Sequence, residues 1–239
     1  MREKIGTLKN TIADLELEPR FLTRNTLILA EDGSGKTNLA NKIRKYVMKN
    51  GIPTIYFDFT DADVEDVEAR FKDEGFFYMR FEESDTFNSA LQEAIAAKKD
   101  IYMSVNTKYF SNKRDVKSSV SKMLQTRELL DNYYYLFQET SHLNAFYTQF
   151  EDFLLYTLNL VNLKKYGLTF LSQPHETFED PQIKLIFTFL FIGKCSNANY
   201  FNTAILRNMK PNTFYFQYRM DHKTLLFNAI RGDIATIDT

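Results

Sequence analysis

The residue types best suited to chemistry lie together between Ala30 and Thr37, in the stretch Ala-Glu-Asp-Gly-Ser-Gly-Lys-Thr. This spacing is the Walker A pattern, G-x-x-x-x-G-K-[ST], with alanine in place of the first glycine. Gly33 and Gly35 would let the backbone turn its N–H groups toward phosphate oxygens, and a helix start would add its partial positive charge. The stretch predicts a phosphate-binding loop. A flexible Gly-Ser turn that happens to precede Lys-Thr is the alternative.

The segments on either side supply the context that such a loop needs. Thr26–Leu29 predicts a buried strand, and the pattern from Asn38 onward predicts a helix. In this motif Lys36 lies against the β- and γ-phosphates of ATP, and the Thr37 hydroxyl binds Mg²⁺. The predicted nucleotide-binding residues are Glu31, Asp32, Gly33, Ser34, Gly35, Lys36, Thr37 and Asn38.

Length and composition favour one ordered domain. The chain has 239 residues, 44% of them hydrophobic, and a formal net charge of −1. Its single cysteine, Cys195, excludes an internal disulfide, is expected to be inert packing and favours a reducing compartment. The most apolar stretch, 183–192, is too short to cross a bilayer. We predict a P-loop domain over 26–239 after an N-terminal arm or helix over 1–25, without an integral membrane segment and in the cytoplasm.

Strand and helix patterns alternate along the chain, which predicts an α/β fold with a mostly parallel sheet flanked by helices. A helical segment is expected over Lys4–Leu17, and a C-terminal β-hairpin is expected from Thr213–Tyr218 and Thr224–Ile230. The other predicted strands are 54–57, 76–81, 100–105, 133–137, 167–173 and 185–192, and the other predicted helices are 61–68, 84–97, 114–130, 144–165 and 199–208.

Polar side chains stand where several predicted strands end. Asp58 follows the second strand, Gln138 and Glu139 follow Tyr133–Phe137, and Gln173 follows the next strand. Parallel α/β sheets bind ligands at the carboxyl ends of their strands. We therefore expect these side chains to meet Thr37 in one crevice.

The order of these motifs resembles the HerA/FtsK superfamily of P-loop motor ATPases, which have a RecA/ASCE-like fold. The resemblance covers about residues 26–218. In it, Tyr133–His142 corresponds to Walker B. The specific part is Leu171-Ser-Gln-Pro174, similar to the superfamily's Ser/Thr-Gln signature on the strand after Walker B. This layout separates the superfamily from kinases and GTPases. Residues 193–197 and 206–211 resemble the end of the core more loosely.

The resemblance implies a homo-oligomeric ring, usually a hexamer, that hydrolyses ATP with Mg²⁺ to move double-stranded DNA. Because the chain has little beyond the motor core, it looks most similar to genome-packaging ATPases of tailless viruses with internal membranes. That reading implies a capsid vertex or membrane protein as partner, and location in host cytoplasm or in the virion. The alternatives are a plasmid or cellular HerA-like translocase and a nucleotide-binding subunit with little turnover. A small-molecule kinase is disfavoured because no arginine-rich lid is visible.

The chief departure from the family pattern is Gln138, where the resemblance implies an aspartate that holds the Mg²⁺ water shell. Glutamine accepts a hydrogen bond but brings no charge, so Asp58 is expected to assist Thr37 and Gln138 at the metal. Glu139 keeps the carboxylate that would orient and deprotonate the attacking water. The expected catalytic residues are Lys36, Glu139, Gln173 and Arg207.

Several basic residues are candidates for contacts with a neighbouring subunit or with DNA. Arg207 is the preferred arginine finger toward a neighbouring subunit, with Arg114, Arg127 and Arg219 as the other candidates. A basic cluster would bind DNA phosphates or form a solvated helix face. Its members are Lys108, Lys113, Arg114 and Lys117. The three histidines, among them His142 after Walker B, lack metal-ligand spacing, so no zinc site is expected.

Overall fold

The chain divides into two units, which we describe separately. The P-loop unit comprises Met1–Asn50 and Gly167–Thr239, and the central unit comprises Gly51–Tyr166. The computed structural model describes residues 3–8, 14–60, 75–82, 84–105, 126–138, 163–174, 178, 186–196, 206–218 and 235–238. The domain boundary proposed at residue 25 stays a prediction.

Strand β3 (Thr26–Leu29) lies at the centre of the parallel part of the P-loop unit. It pairs in parallel with β8 (Leu168–Ser172) on one side and with β9 (Phe189–Ile192) on the other. All four residues of β3 are buried, as are those of β8 and β9. A continuous apolar run of this kind is typical of a parallel strand covered on both faces, which is what the sequence predicted.

Helix α1 (Lys36–Lys49) follows β3 through the loop. Its buried positions include Leu39, Ile43 and Tyr46, so they recur at the three- and four-residue spacing of one helix face. This face packs toward β1, β3 and β8. The helix ends where Asn50 leaves helical geometry and Gly51 adopts a positive φ of 74°.

The antiparallel part of the P-loop unit is larger than the sequence predicted. It contains β1 (Glu3–Leu8), β2 (Asp14–Leu17), β10 (Thr213–Tyr218) and β11 (Ala235–Asp238), in the order β2-β1-β11-β10 followed by β9. The helical segment predicted over Lys4–Leu17 is therefore wrong. A 3₁₀ helix, Pro19–Leu22, leads from β2 to β3.

The predicted C-terminal hairpin is present, with a different second strand. β10 pairs antiparallel with β11, and the register places Thr213 opposite Asp238. The segment predicted to pair with β10, 224–230, lies outside the described residues.

The central unit is an all-parallel sheet. Its strands are β4 (Thr54–Asp58), β5 (Phe77–Arg80), β6 (Ile101–Ser104) and β7 (Tyr134–Gln138), in the order β7-β4-β6-β5. Helix α2 (Asp85–Ala96) begins after Ser84, whose hydroxyl accepts the Phe87 N–H at 3.1 Å. Helix α3 (Arg127–Asn132) precedes β7.

Four predicted helices lie largely or wholly on residues that are not described. These residues are 61–68, the part of 114–130 that precedes Thr126, the part of 144–165 that precedes Leu163, and the part of 199–208 that precedes Leu206. Within the part of the chain that is described, no helix combines the length and apolar character needed to cross a membrane.

The environment of Lys164 in the central unit should make the stability of the protein depend on pH. Its ammonium lies 2.9 Å from the centre of the Tyr135 ring, and burial holds its pKa well below the ordinary value of 10.5. The unfolded chain therefore binds a proton more readily, so stability rises with pH between the lowered pKa and 10.5. We expect Lys164→Met to raise the free energy of unfolding by about 1–2 kcal/mol at neutral pH, and this gain to shrink as the pH approaches 10.5.

Urea unfolding of both proteins across this pH range measures the effect, and Lys165→Met is the matched control. Lys165 is the next residue and is exposed, so its replacement should leave the unfolding free energy and its pH dependence nearly unchanged. An equal response of the two variants would contradict a special environment for Lys164.

Candidate nucleotide-binding site

Two glycines give the loop between β3 and α1 its shape. Gly33 and Gly35 have φ angles of 72° and 92°, in the left-handed region that glycine adopts without strain. A side chain at Gly35 would also collide with Asn212, because an added Cβ would lie 2.1 Å from the Asn212 Oδ1. The Asn212 N–H donates to the Ser34 carbonyl at 2.9 Å. The turn before β10 therefore packs against the loop at Ser34 and Gly35.

The first residues of the loop extend the parallel sheet beyond β3. The Ala30 N–H donates to the Ser172 carbonyl at 3.2 Å, and the Glu31 N–H donates to the Lys194 carbonyl at 2.8 Å. A Cβ added at Gly193 would lie 2.8 Å from the Ala30 Cβ. Alanine at the first motif position is thus accommodated because its neighbour on the adjacent segment is a glycine.

Lys36 crosses the loop from the first position of α1. Its side chain is only 5% exposed, and its Nζ donates to the Ala30 carbonyl at 2.9 Å. The same ammonium lies 3.3 Å from Asp32 Oδ1. A buried ammonium requires such partners, and phosphate oxygens are equally suitable ones.

Gln173 directly follows β8, the strand end at which the sequence placed it, and it contacts the loop. Its Nε2 donates to Asp32 Oδ2 at 2.9 Å. One carboxylate therefore bridges Lys36 and Gln173, with a different oxygen for each. The structure brings together three of the predicted site residues.

The donors of the loop suit a phosphate group. N–H groups in the first turn of α1 have no carbonyl partner within the helix, and the positive end of the helix dipole adds to them. The Ser34 hydroxyl is buried and has no hydrogen-bond partner among the described residues. Thr37 is half-buried in this turn, and Asn38 is exposed beside it. Thr37 would hold Mg²⁺, which would neutralise phosphate charge.

Glu31 links the loop to Arg207. Its carboxylate accepts the Ser196 N–H, and hydrogen bonds from Ser196 lower the pKa of Glu31. The exposed Arg207 donates from Nε to the Ser196 carbonyl at 2.8 Å. Cys195 next to Ser196 is buried, and burial raises the pKa of its thiol to about 12, which favours the thiol over the reactive thiolate.

Asp58 and Gln138 lie side by side in the central unit, at registered positions of β4 and β7. The Tyr56 hydroxyl donates to Gln138 Oε1, and the Tyr102 hydroxyl donates to Asp58 Oδ2. The two tyrosine rings stack with centroids 5.1 Å apart. Asp58 Oδ1 accepts the Thr60 N–H at 2.9 Å. The side-chain oxygens of Asp58 and Gln138, two of the predicted metal-site residues, therefore already accept hydrogen bonds from protein donors.

Several predicted functional residues lie outside the described part of the chain. These are Glu139, the histidines, Arg114, Arg219 and the basic cluster at 108–117. Arg127 is exposed and lies 3.3 Å from Asp131. The single crevice expected for Thr37, Asp58, Glu139 and Gln173 stays a prediction.

Sequence reasoning missed four residues that shape these sites: Ser196, Asn212, Tyr56 and Tyr102. The Pro211-Asn212 pair is a recognisable turn signal, and Asn212 does adopt a positive φ of 61°. No comparable signal in the sequence identifies the tyrosine contacts.

No protein-family model and no characterised protein sequence matches the chain. Solved structures do. VirB4 of Thermoanaerobacter pseudethanolicus matches 92% of this chain and 94% of its own, with a TM-score of 0.60 and 11% identity. The cytoplasmic domain of the Type VII secretion ATPase EccC of Thermomonospora curvata matches 100% of this chain, with a TM-score of 0.61 and 12% identity. ATPases 2 and 3 of EssC from Geobacillus thermodenitrificans match 99%, with a TM-score of 0.52 and 13% identity.

This chain has the fold of a P-loop ATPase. At 11–13% identity, the likeness to these structures is one of fold. The chain spans only 28% of the EccC structure and 40% of the EssC structure. The α/β fold with parallel strands and a C-terminal hairpin is thereby confirmed.

Proposed function

We propose that the chain binds ATP with Mg²⁺ and hydrolyses it to translocate double-stranded DNA, as a viral genome-packaging ATPase acting in a homo-oligomeric ring. The observation that carries the proposal is the contact of Lys36 and Gln173 at Asp32. It brings the Walker A lysine together with the glutamine that distinguishes the superfamily in sequence. Both side chains contact the carboxylate of Asp32, a residue of the loop that would hold the phosphates.

Each step of the reaction has candidate residues in this chain. The loop backbone from Gly33 to Thr37 would bind phosphate oxygens, and Lys36 would neutralise their charge. Thr37 would hold Mg²⁺. Glu139 would accept the proton of the attacking water, and Gln173 would contact the third phosphate.

Arg207 is proposed to act on the nucleotide of a neighbouring subunit in the ring. Two observations support it: the guanidinium is exposed, and its Nε is held by the Ser196 carbonyl. The Ser196 N–H donates to Glu31 of the phosphate-binding loop. Ser196 therefore contacts both that loop and Arg207. An arginine supplied to a phosphoryl-transfer site is worth several orders of magnitude in rate.

A nucleotide-binding subunit with little turnover is the second candidate, and Gln138 favours it. Its amide oxygen accepts the Tyr56 hydroxyl, and the side chain brings no negative charge to a metal ion. A plasmid or cellular HerA-like translocase would share the chemistry of the first candidate and differ only in its DNA.

Steady-state ATP hydrolysis with and without double-stranded DNA, together with the mass from light scattering, tests the proposal. We expect turnover that rises several-fold with DNA, a mass several times 28.1 kDa, and stimulation that falls steeply with salt because phosphate contacts release counterions. Binding of ATP without turnover in either condition would favour the second candidate. Turnover that DNA leaves unchanged would contradict DNA as the cargo, and single-stranded DNA is the control polymer.

A further inference from the structure

We propose that Asp32 is an internal competitor of the triphosphate: its carboxylate holds Lys36 and Gln173, and nucleotide must displace it from both. The inference rests on the proposed nucleotide site and concerns how tightly that site binds. The loop N–H groups and the Lys36 ammonium would strengthen nucleotide binding, whereas the Asp32 carboxylate would weaken it.

The geometry supports a competition between two acceptors for the same donors. Asp32 Oδ1 lies 3.3 Å from the ammonium of Lys36, and Oδ2 accepts from the Gln173 amide at 2.9 Å. A carboxylate and a terminal phosphate both present oxygens that accept charge-assisted hydrogen bonds. Lys36 and Gln173 are the two side chains of this unit that we propose to contact the third phosphate.

Positioning of Lys36 does not require Asp32. The Ala30 carbonyl already accepts from the Lys36 Nζ at 2.9 Å, and this contact is buried. The Asp32 side chain is 77% exposed, and ion pairs at such positions add little to folding stability. The carboxylate can therefore leave Lys36 without loss of the fold, whereas its charge repels the incoming phosphates.

Removal of this charge should tighten nucleotide binding. We expect Asp32→Asn to bind a non-hydrolysable ATP analogue with Mg²⁺ about tenfold more tightly than the natural protein does, a moderate effect because the carboxylate is exposed. ADP should gain less, because it lacks the phosphate that competes for Gln173. The gain should shrink as salt rises, since screening weakens repulsion between exposed charges.

Two further variants separate this effect from simpler ones. Asp32→Ala removes the charge without adding an amide donor, so it should show the same tightening if the charge is responsible. Glu93→Gln makes the same change of net charge at an exposed position of α2 and should leave the affinity unchanged. Unfolding curves of all variants without nucleotide should coincide within the small contribution of an exposed ion pair.

Isothermal titration calorimetry with the ATP analogue and with ADP provides the measurement. Tighter binding by both Asp32 variants and not by Glu93→Gln is the expected result. Equal or weaker binding by the Asp32 variants would overturn the inference while the proposed function stands. Failure of the natural protein and of every variant to bind the analogue would overturn the nucleotide site and this inference together.

Discussion

Lys36→Ala is expected to weaken ATP binding by about 100-fold or more. The side chain is 5% exposed and crosses the loop to the Ala30 carbonyl, so its charge is concentrated inside the loop. Without this ammonium, the phosphates lose a positively charged hydrogen-bond donor. Titration calorimetry with a non-hydrolysable ATP analogue and Mg²⁺ measures the loss.

Lys45→Ala is the matched control for this variant. Lys45 lies on the same helix, is exposed, and its replacement changes the net charge by the same amount. The affinity of Lys45→Ala for the ATP analogue should equal that of the natural protein. Both variants should keep the far-ultraviolet circular dichroism spectrum of the natural protein. Retained tight binding by Lys36→Ala would contradict the assignment of the loop.

The strand, turn and helix around Gly33 and Gly35 were predictable because their determinants are local. Strand, glycines, lysine and helix lie within one short segment, and each carries its own signal in the sequence. The two positive φ angles at Gly33 and Gly35 followed from the residue type. The contact of Gln173 with Asp32 was not predicted, although neighbouring parallel strands that end at the same edge place Gln173 near the loop.

The N-terminal strands were not predictable in this way. β1 forms a sheet with β2 and with β11, which lies at the other end of the chain. A pairing of that kind is decided by tertiary structure, and it overrides the weak helical pattern over Lys4–Leu17. The same reasoning explains why the antiparallel part of the P-loop unit was underestimated.

The surroundings of Gln138 show a second limit of sequence reasoning. The sequence shows a glutamine where the resemblance implies an aspartate, but it does not show the tyrosine that donates a hydrogen bond to this glutamine. Tyr56 lies two residues before Asp58 on β4, and Asp58 is the residue registered with Gln138 on β7. The contact is thus a diagonal one between neighbouring strands, and it depends on a register that the sequence does not reveal.

Glu139→Gln is expected to reduce the rate of ATP hydrolysis by about 100-fold or more while ATP still binds. The change keeps the size of the side chain and removes its ability to accept a proton from water. Glu139 is the carboxylate of the Walker B segment that follows Gln138, which lacks one. Loss of the proposed base should therefore lower kcat far more than it alters the affinity for a non-hydrolysable analogue.

Glu128→Gln is the control, because Glu128 is an exposed glutamate in the first turn of α3 and its replacement removes the same charge. Its turnover should equal that of the natural protein. A variant of Glu139 that hydrolyses ATP at the natural rate would place the base on another residue. If instead Glu139→Gln lost binding and turnover together, the carboxylate would act on nucleotide affinity and not on the attacking water. The sequence neighbours of Glu139, Gln138 and Thr140, carry no carboxylate, which is why we expect a large loss of turnover.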